Sequence, residues 1–143
     1  MKLIIGGCFQ GKSDFARRYY QEKEGKEISL EEWFSLAADG RKDSLEKTFL
    51  APAVEAMQEY IRKISEKEVE FVQKKEQVQK WIKELNIKNP DVILVLDEVG
   101  CGIVPLKREE REYRDLVGYA GQLAAQNADC VYRVMMGMGE QIK

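Results

Sequence analysis

Histidine is absent from all 143 residues. Its absence excludes histidine-ligated metal sites, Ser-His and Cys-His catalytic pairs, and any covalent intermediate carried on an imidazole. Cysteine is scarce as well. Cys8, Cys101 and Cys130 are odd in number and far apart, which fits neither a zinc-ligand spacing nor a disulfide framework, and a reducing cytoplasm suits them best. Excess charge of one sign is also lacking: 23 Lys and Arg face 25 Asp and Glu, a formal net charge of -2, so there is no bulk positive field to hold DNA or RNA. No apolar run approaches membrane-spanning length, and Leu3-Ile4-Ile5 meets glycine too soon to form a secretory signal. The expectation is a cytoplasmic protein that is neither exported nor inserted.

What remains is the composition of a folding chain, 44% hydrophobic and 34% charged, of a length suited to one domain over residues 1–143. Leu3-Ile4-Ile5 reads as a strand closed by Gly6-Gly7, and Lys12 to Lys23 carries Phe15, Ala16 and Tyr19 at helical spacing. Lys26 to Leu30 offers a second short strand. Ser29 and Glu32 have capping-box spacing, which predicts a helix through Trp33, Phe34 and Leu36 ending at Asp39-Gly40.

From Leu50 to Leu85, the residues Leu50, Met57, Ile64, Phe71, Val78 and Leu85 recur every seventh position, with Val54, Ile61 and Ile82 at the slot four later. This predicts a helical middle segment over 44–86, as one long helix or two in tandem. Glu68 and Lys75 interrupt the second slot, which puts a bend near Ser65-Glu66. Packing of the stripe on the domain's own sheet is favoured over an intermolecular coiled coil, whose seam wants both slots apolar throughout.

Asn89-Pro90 ends the helical run, and Val92 to Leu96 follows as five consecutive apolar residues, the pattern of a strand buried on both faces. Arg108 to Asn127 reads as a helix, and Cys130 to Met136 as a last strand before a Gly137-Met138-Gly139 tail. The order implies an α/β fold, a small parallel sheet flanked by helices with a long helical middle segment.

The chemistry concentrates at Gly6-Gly7-Cys8-Phe9-Gln10-Gly11-Lys12-Ser13, which satisfies the Walker A pattern G-x-x-x-x-G-K-[ST] between a strand and a helix. Glycines let the backbone N–H groups turn inward on a phosphate, and the following helix, with Asp14 in its first turn, adds its positive end. Lys12 is placed to reach the β- and γ-phosphates and Ser13 to bind Mg²⁺. Asp97, with Glu98 as runner-up, ends the best buried strand at the same sheet edge, where a carboxylate holds a metal, takes a proton or merely caps a turn. Arg108, Arg111 and Arg114 recur every third residue along one side of a helix. They suit phosphate or substrate contact, or else a solvated face of local ion pairs.

The run Asp97-Glu98-Val99-Gly100-Cys101-Gly102-Ile103-Val104-Pro105, the Arg108, Arg111, Arg114-Asp115 helix with Gly118, Gln122 and Ala125, Asp129, and the ending Gly137-Met138-Gly139 with Ile142-Lys143 carry a resemblance. The chain resembles the bifunctional adenosylcobinamide kinase and adenosylcobinamide-phosphate guanylyltransferase family of cobalamin biosynthesis, over about the first 20 and last 50 residues. The resemblance implies phosphorylation of the aminopropanol hydroxyl of adenosylcobinamide from ATP or GTP with Mg²⁺, then guanylyl transfer through a covalent histidine, in a homo-oligomer. With no histidine, that covalent route is closed here. The middle of the chain also reads as charged and helical where the family has a second apolar strand and an acidic D-C-x-T-like segment. Asp97 stands where the family usually has Asn, which restores a carboxylate for Mg²⁺.

The expected function is therefore a corrinoid kinase with Lys12, Asp97 and Glu98 as catalytic residues. Gly6 to Asp14 would hold the nucleotide, Ser13 and Asp97 the metal, and Arg111 and Arg114 phosphate or substrate. The alternatives are a catalytically reduced nucleotide-binding regulatory or assembly protein, with the heptad stripe as its partner surface, and a kinase of another small hydroxylated acceptor.

Overall fold

The computed structural model describes residues 1–25, 27, 29, 32–35 and 44–143, without the side chains of residues 44 and 45. Its six-stranded sheet begins with β1 (Lys2–Gly6), followed by helix α1 (Lys12–Glu24), β2 (Trp33–Ser35), a short helix α2 (Ser44–Thr48) and β3 (Ala53–Glu55). Helices α3 (Met57–Ser65) and α4 (Phe71–Lys88) lead to β4 (Ile93–Asp97) and a single 3-10 turn at Val99–Cys101. Helix α5 (Arg108–Asn127), β5 (Cys130–Met135) and β6 (Met138–Gln141) complete the order.

The strands lie side by side as β2-β3-β4-β1-β5-β6, all parallel except β6. The central strand β1 pairs with β4 on one side and β5 on the other, with Gly6 opposite Asp97. Both faces are covered, so central strands are apolar throughout rather than alternating. On one face α3, α4 and α5 bury Met57, Ile61, Ile82, Leu94 and Leu116. On the other, α1 lays Ala16 over Ile4, Ile93 and Val95, with Trp33 and Ala53 beside them.

The strands at Leu3–Ile5 and Val92–Leu96 and the helices after Lys12 and over Arg108–Asn127 agree with expectation to within a residue or so. Three expectations are corrected. The helix predicted through Trp33 and Phe34 is instead β2. The capping-box bonds do form, with the Ser29 backbone N–H and hydroxyl donating to Glu32 Oε2 and the Glu32 N–H donating to Ser29 Oγ, but they close one turn. Parallel pairing with β3 then takes over and buries Trp33 under the Arg17 guanidinium. Of the strand expected over 26–30, Glu27 and Ser29 are not in a strand, and Lys26, Ile28 and Leu30, with Leu36, Asp39 and Gly40, lie outside the described residues.

The helical middle segment is the second correction. It is broken by β3, which supplies the apolar strand expected to be missing, and Leu50 lies outside any helix and is exposed. The bend after Ser65 is real: α3 stops there and α4 resumes at Phe71. Across the gap, buried Lys74 donates from Nζ to the Ser65 carbonyl at 2.7 Å and faces Glu112 of α5 at 3.5 Å. Met57, Ile61, Ile64, Val78, Ile82 and Leu85 all face the internal core, so the stripe is not an exposed partner surface. Third, the Gly137–Gly139 tail is the turn and start of a hairpin strand, paired antiparallel from Met135 opposite Met138 to Tyr132 opposite Gln141.

Candidate active site

The phosphate-loop sequence forms a closed turn at the carboxyl edge of the sheet. Gly6 ends β1 so close to β5 that a Cβ there would stand 2.4 Å from the Val134 carbonyl oxygen, which only glycine avoids. Gly11 caps α1 in the left-handed conformation at φ +81°, which favours glycine for the same steric reason. Phe9, at φ +60°, projects almost fully into solvent, with Cys8 exposed beside it and Asp14 exposed in the first turn of α1. Lys12 is 6% exposed, and its Nζ donates to the Gly7 carbonyl at 2.6 Å.

The β5–β6 turn holds this loop from the side. Gly137 N–H donates to the Gln10 carbonyl at 2.8 Å, Met136 N–H donates to Gln10 Oε1 at 2.9 Å, and Arg18 Nη2 reaches the Gly137 carbonyl at 2.7 Å. Sequence reasoning assigned Gln10 to the loop but missed this second role, because β6 is four exposed residues without a hydrophobic signal.

Two acidic side chains face the loop. Asp97 at the end of β4 pairs through Oδ1 with Lys12 Nζ at 2.7 Å. Glu55 at the end of β3 accepts from the Ser13 hydroxyl at 2.6 Å. Glu55 is the functional candidate that the sequence reading missed, and it fills the acidic position expected to be absent from the middle of the chain. Glu98, one residue beyond Asp97, turns toward β5 and pairs with Arg133 at 3.3 Å, away from Lys12.

No group of three or more Cys, Asp and Glu capable of holding a metal occurs among the described residues. The Ser13 hydroxyl with the Glu55 and Asp97 carboxylates is an all-oxygen set of the kind Mg²⁺ takes when substrate phosphates and water supply its other ligands. These residues fit that ion.

The arginine series is not a free cationic face. Arg108 pairs with Glu112 at 2.8 Å, and Arg111 donates to the carbonyls of Pro105 at 3.0 Å and Leu106 at 2.6 Å. Arg114 donates to the Ile103 carbonyl at 2.7 Å, to Gly102 at 3.2 Å and to Gly100. Arg111 and Arg114 thus tie the loop after β4 to α5. Behind that loop, between α5 and the sheet, lies a largely apolar cavity of about 450 Å³ that reaches Asp97 and Glu98. A second cavity of about 420 Å³ runs along the phosphate loop from Cys8 to Asp14, with Glu55 and Asp97 in its wall.

On the helical side, Tyr113 of α5 donates to the backbone carbonyl of Gln58 at 3.4 Å. The Gln58 side-chain oxygen in turn accepts the Asp97 N–H at 3.3 Å. Burial holds the Tyr113 phenol above its usual pKa. This short chain fixes the backbone from which the Asp97 carboxylate projects.

A mostly parallel sheet flanked by helices, with a glycine-bounded loop between β1 and α1 and strand-end carboxylates facing it, defines a protein of the P-loop class. Within that class, residues 30–142 match the family described as cobinamide kinase / cobinamide phosphate guanyltransferase, and the chain belongs to that family. Over 52 residues it is 48% identical to the bifunctional adenosylcobalamin biosynthesis protein CobU of Salmonella typhimurium and 46% identical to the protein of the same name from Escherichia coli. Each match takes in 36% of this chain and 29% of the relative's length. No described helix is long and apolar enough to cross a membrane.

Proposed function

We propose that the chain is a nucleotide-dependent kinase of cobalamin biosynthesis that phosphorylates the hydroxyl of adenosylcobinamide. The observation that carries this reading is the convergence of Lys12, Ser13, Asp97 and Glu55 on one phosphate-loop cavity. ATP or GTP would lie along Gly6–Asp14, its phosphates received by backbone N–H groups and the start of α1. Lys12, held by Gly7 and Asp97 in this structure, would turn to the β- and γ-phosphates and offset charge on the transferred group.

Mg²⁺ held by Ser13, Glu55 and Asp97 would supply charge neutralisation at the phosphates. Asp97 would also take the proton of the attacking hydroxyl. In the transfer, the hydroxyl oxygen bonds to the γ-phosphorus while the bond from that phosphorus to the bridging oxygen breaks. The electron pair leaves with the nucleoside diphosphate. Glu98, paired with Arg133, would act at the rim, and Arg111 and Arg114 through the loop they anchor.

Guanylyl transfer through a covalent histidine is not part of this proposal, since these residues include no histidine. A homo-oligomer in the cytoplasm belongs to the same reading, on the strength of family membership. Supplying γ-labelled ATP or GTP with Mg²⁺ and adenosylcobinamide tests the kinase step. Label should enter the corrinoid with the wild-type chain and not with Lys12→Ala. Nucleotide binding without transfer would refute the reading for this acceptor and direct the search to another hydroxylated compound.

A further inference from the structure

The phosphate-loop cavity and the apolar cavity beneath α5 share one lining residue, Asp97, at the end of β4. The apolar cavity is walled by Ile5, Leu96, Val99, Val117, Gly118 and Val131, and two of its cationic neighbours are already engaged. Arg114 is bound to three carbonyls of the loop after β4. Lys143 Nζ is bound to the carbonyls of Ala125 at 2.9 Å and Ala128 at 2.6 Å. The cavity therefore offers hydrocarbon walls and, at Asp97 and Glu98, a carboxylate-bearing end, and neither cation among its described lining residues is free to receive a phosphate.

The wall contains an unexplained glycine. A glycine in a helix interior is unfavourable, yet α5 has two, Gly118 and Gly121. Gly121 has a packing reason, because a Cβ there would stand 3.3 Å from Leu96 Cδ2. Gly118 has none: its backbone is not in the left-handed region, and a Cβ would meet nothing within 4 Å. The effect of glycine at 118 is to leave the cavity open.

We infer that this cavity receives the hydroxyl-bearing arm of the acceptor, a short uncharged segment, and presents its hydroxyl at Asp97 opposite the nucleotide phosphates. The inference rests on the kinase reading and adds to it which part of the acceptor binds, and where. Its volume suits a small group and excludes a whole corrinoid. The macrocycle stays outside, against the loop after β4, where Ile103, Val104 and Leu106 are exposed.

The test is a titration of adenosylcobinamide onto the full chain holding a non-hydrolysable nucleotide, for wild type, Gly118→Ala and Gly118→Leu. Nucleotide affinity and thermal midpoint are measured on each. Gly118→Leu should weaken corrinoid binding about tenfold or more by filling the cavity, with a smaller effect for Gly118→Ala. Nucleotide affinity should hold, and the midpoint should hold or rise as the helix gains a better former. Equal corrinoid affinity in wild type and Gly118→Leu, or no corrinoid binding by wild type, would overturn the inference. Leucine-sensitive corrinoid binding without phosphate transfer would remove the kinase reading and keep the cavity assignment. Transfer with the same acceptor KM in both would remove the cavity and keep the kinase.

Discussion

Lys12 Nζ stands 2.7 Å from Asp97 Oδ1, joining the only lysine of the phosphate loop to the end of the strand hydrogen-bonded alongside β1. The pair is largely shielded from solvent, with the lysine side chain 6% and the aspartate side chain 25% exposed. Removing the charge on Asp97 leaves Lys12 buried with only the Gly7 carbonyl and, in the proposed reaction, removes the group that would take the acceptor proton. Asp97→Asn should lower kcat by about 10²-fold or more with little change in fold. Steady-state rates alongside circular dichroism check this, and unchanged Mg²⁺-dependent nucleotide affinity and turnover would show that Asp97 has no part in the reaction.

Glu55 and Ser13 give a separate prediction. Their 2.6 Å hydrogen bond sets a carboxylate and a hydroxyl in the wall of the phosphate cavity that Asp97 also lines. Glu55→Gln keeps the hydrogen-bond acceptor but loses the charge, so the Mg²⁺ concentration for half-maximal activity should rise about tenfold. A Mg²⁺ titration of the rate reads this directly.

Gln10 is a positioning residue. Its side-chain oxygen accepts Met136 N–H and its carbonyl accepts Gly137 N–H, so the hairpin turn braces the phosphate loop through one residue. Gln10→Ala should weaken nucleotide binding several-fold, roughly the loss of one neutral hydrogen bond, since the backbone bond from Gly137 remains. Gln10→Asn, which retains a neutral amide acceptor and adds no charge beside the phosphates, should recover part of it. Loss of global stability without that recovery would mark a purely structural role.

The α4–α5 contact carries a pH dependence. Arg108, with Lys74 behind it, holds the Glu112 carboxyl below its ordinary pKa of 4.5. A depressed folded-state pKa contributes stability that is present above the unfolded value and lost as pH falls through the folded one. Urea midpoints should therefore drop between about pH 5 and about pH 3, and drop less for Glu112→Gln.

The phosphate loop, β4 and α5 were legible because local and tertiary signals agree there. Glycines fall where the backbone needs them, the run Val92 to Leu96 is buried on both faces, and Tyr113, Leu116, Val117, Ala120 and Ala124 keep helical spacing. The middle was not, because the heptad stripe runs in phase from Leu50 through Val54 to Met57, although Val54 is in a strand and Leu50 is exposed. Three residues, Ala53 to Glu55, are too few to show a period of their own, so Glu55 was hidden within an apparent helix. At Trp33 a genuine capping box was outweighed by pairing with β3.

The central claim is phosphoryl transfer without a histidine-borne nucleotide, and parallel reactions with γ-labelled and α-labelled GTP, Mg²⁺ and adenosylcobinamide test it most directly. γ-Label should enter the corrinoid in a Lys12-dependent manner while α-label stays with the nucleotide and never becomes covalently attached to the protein or the corrinoid. α-Label on the corrinoid or the chain, or γ-label that never leaves the nucleotide except as free phosphate, would contradict it.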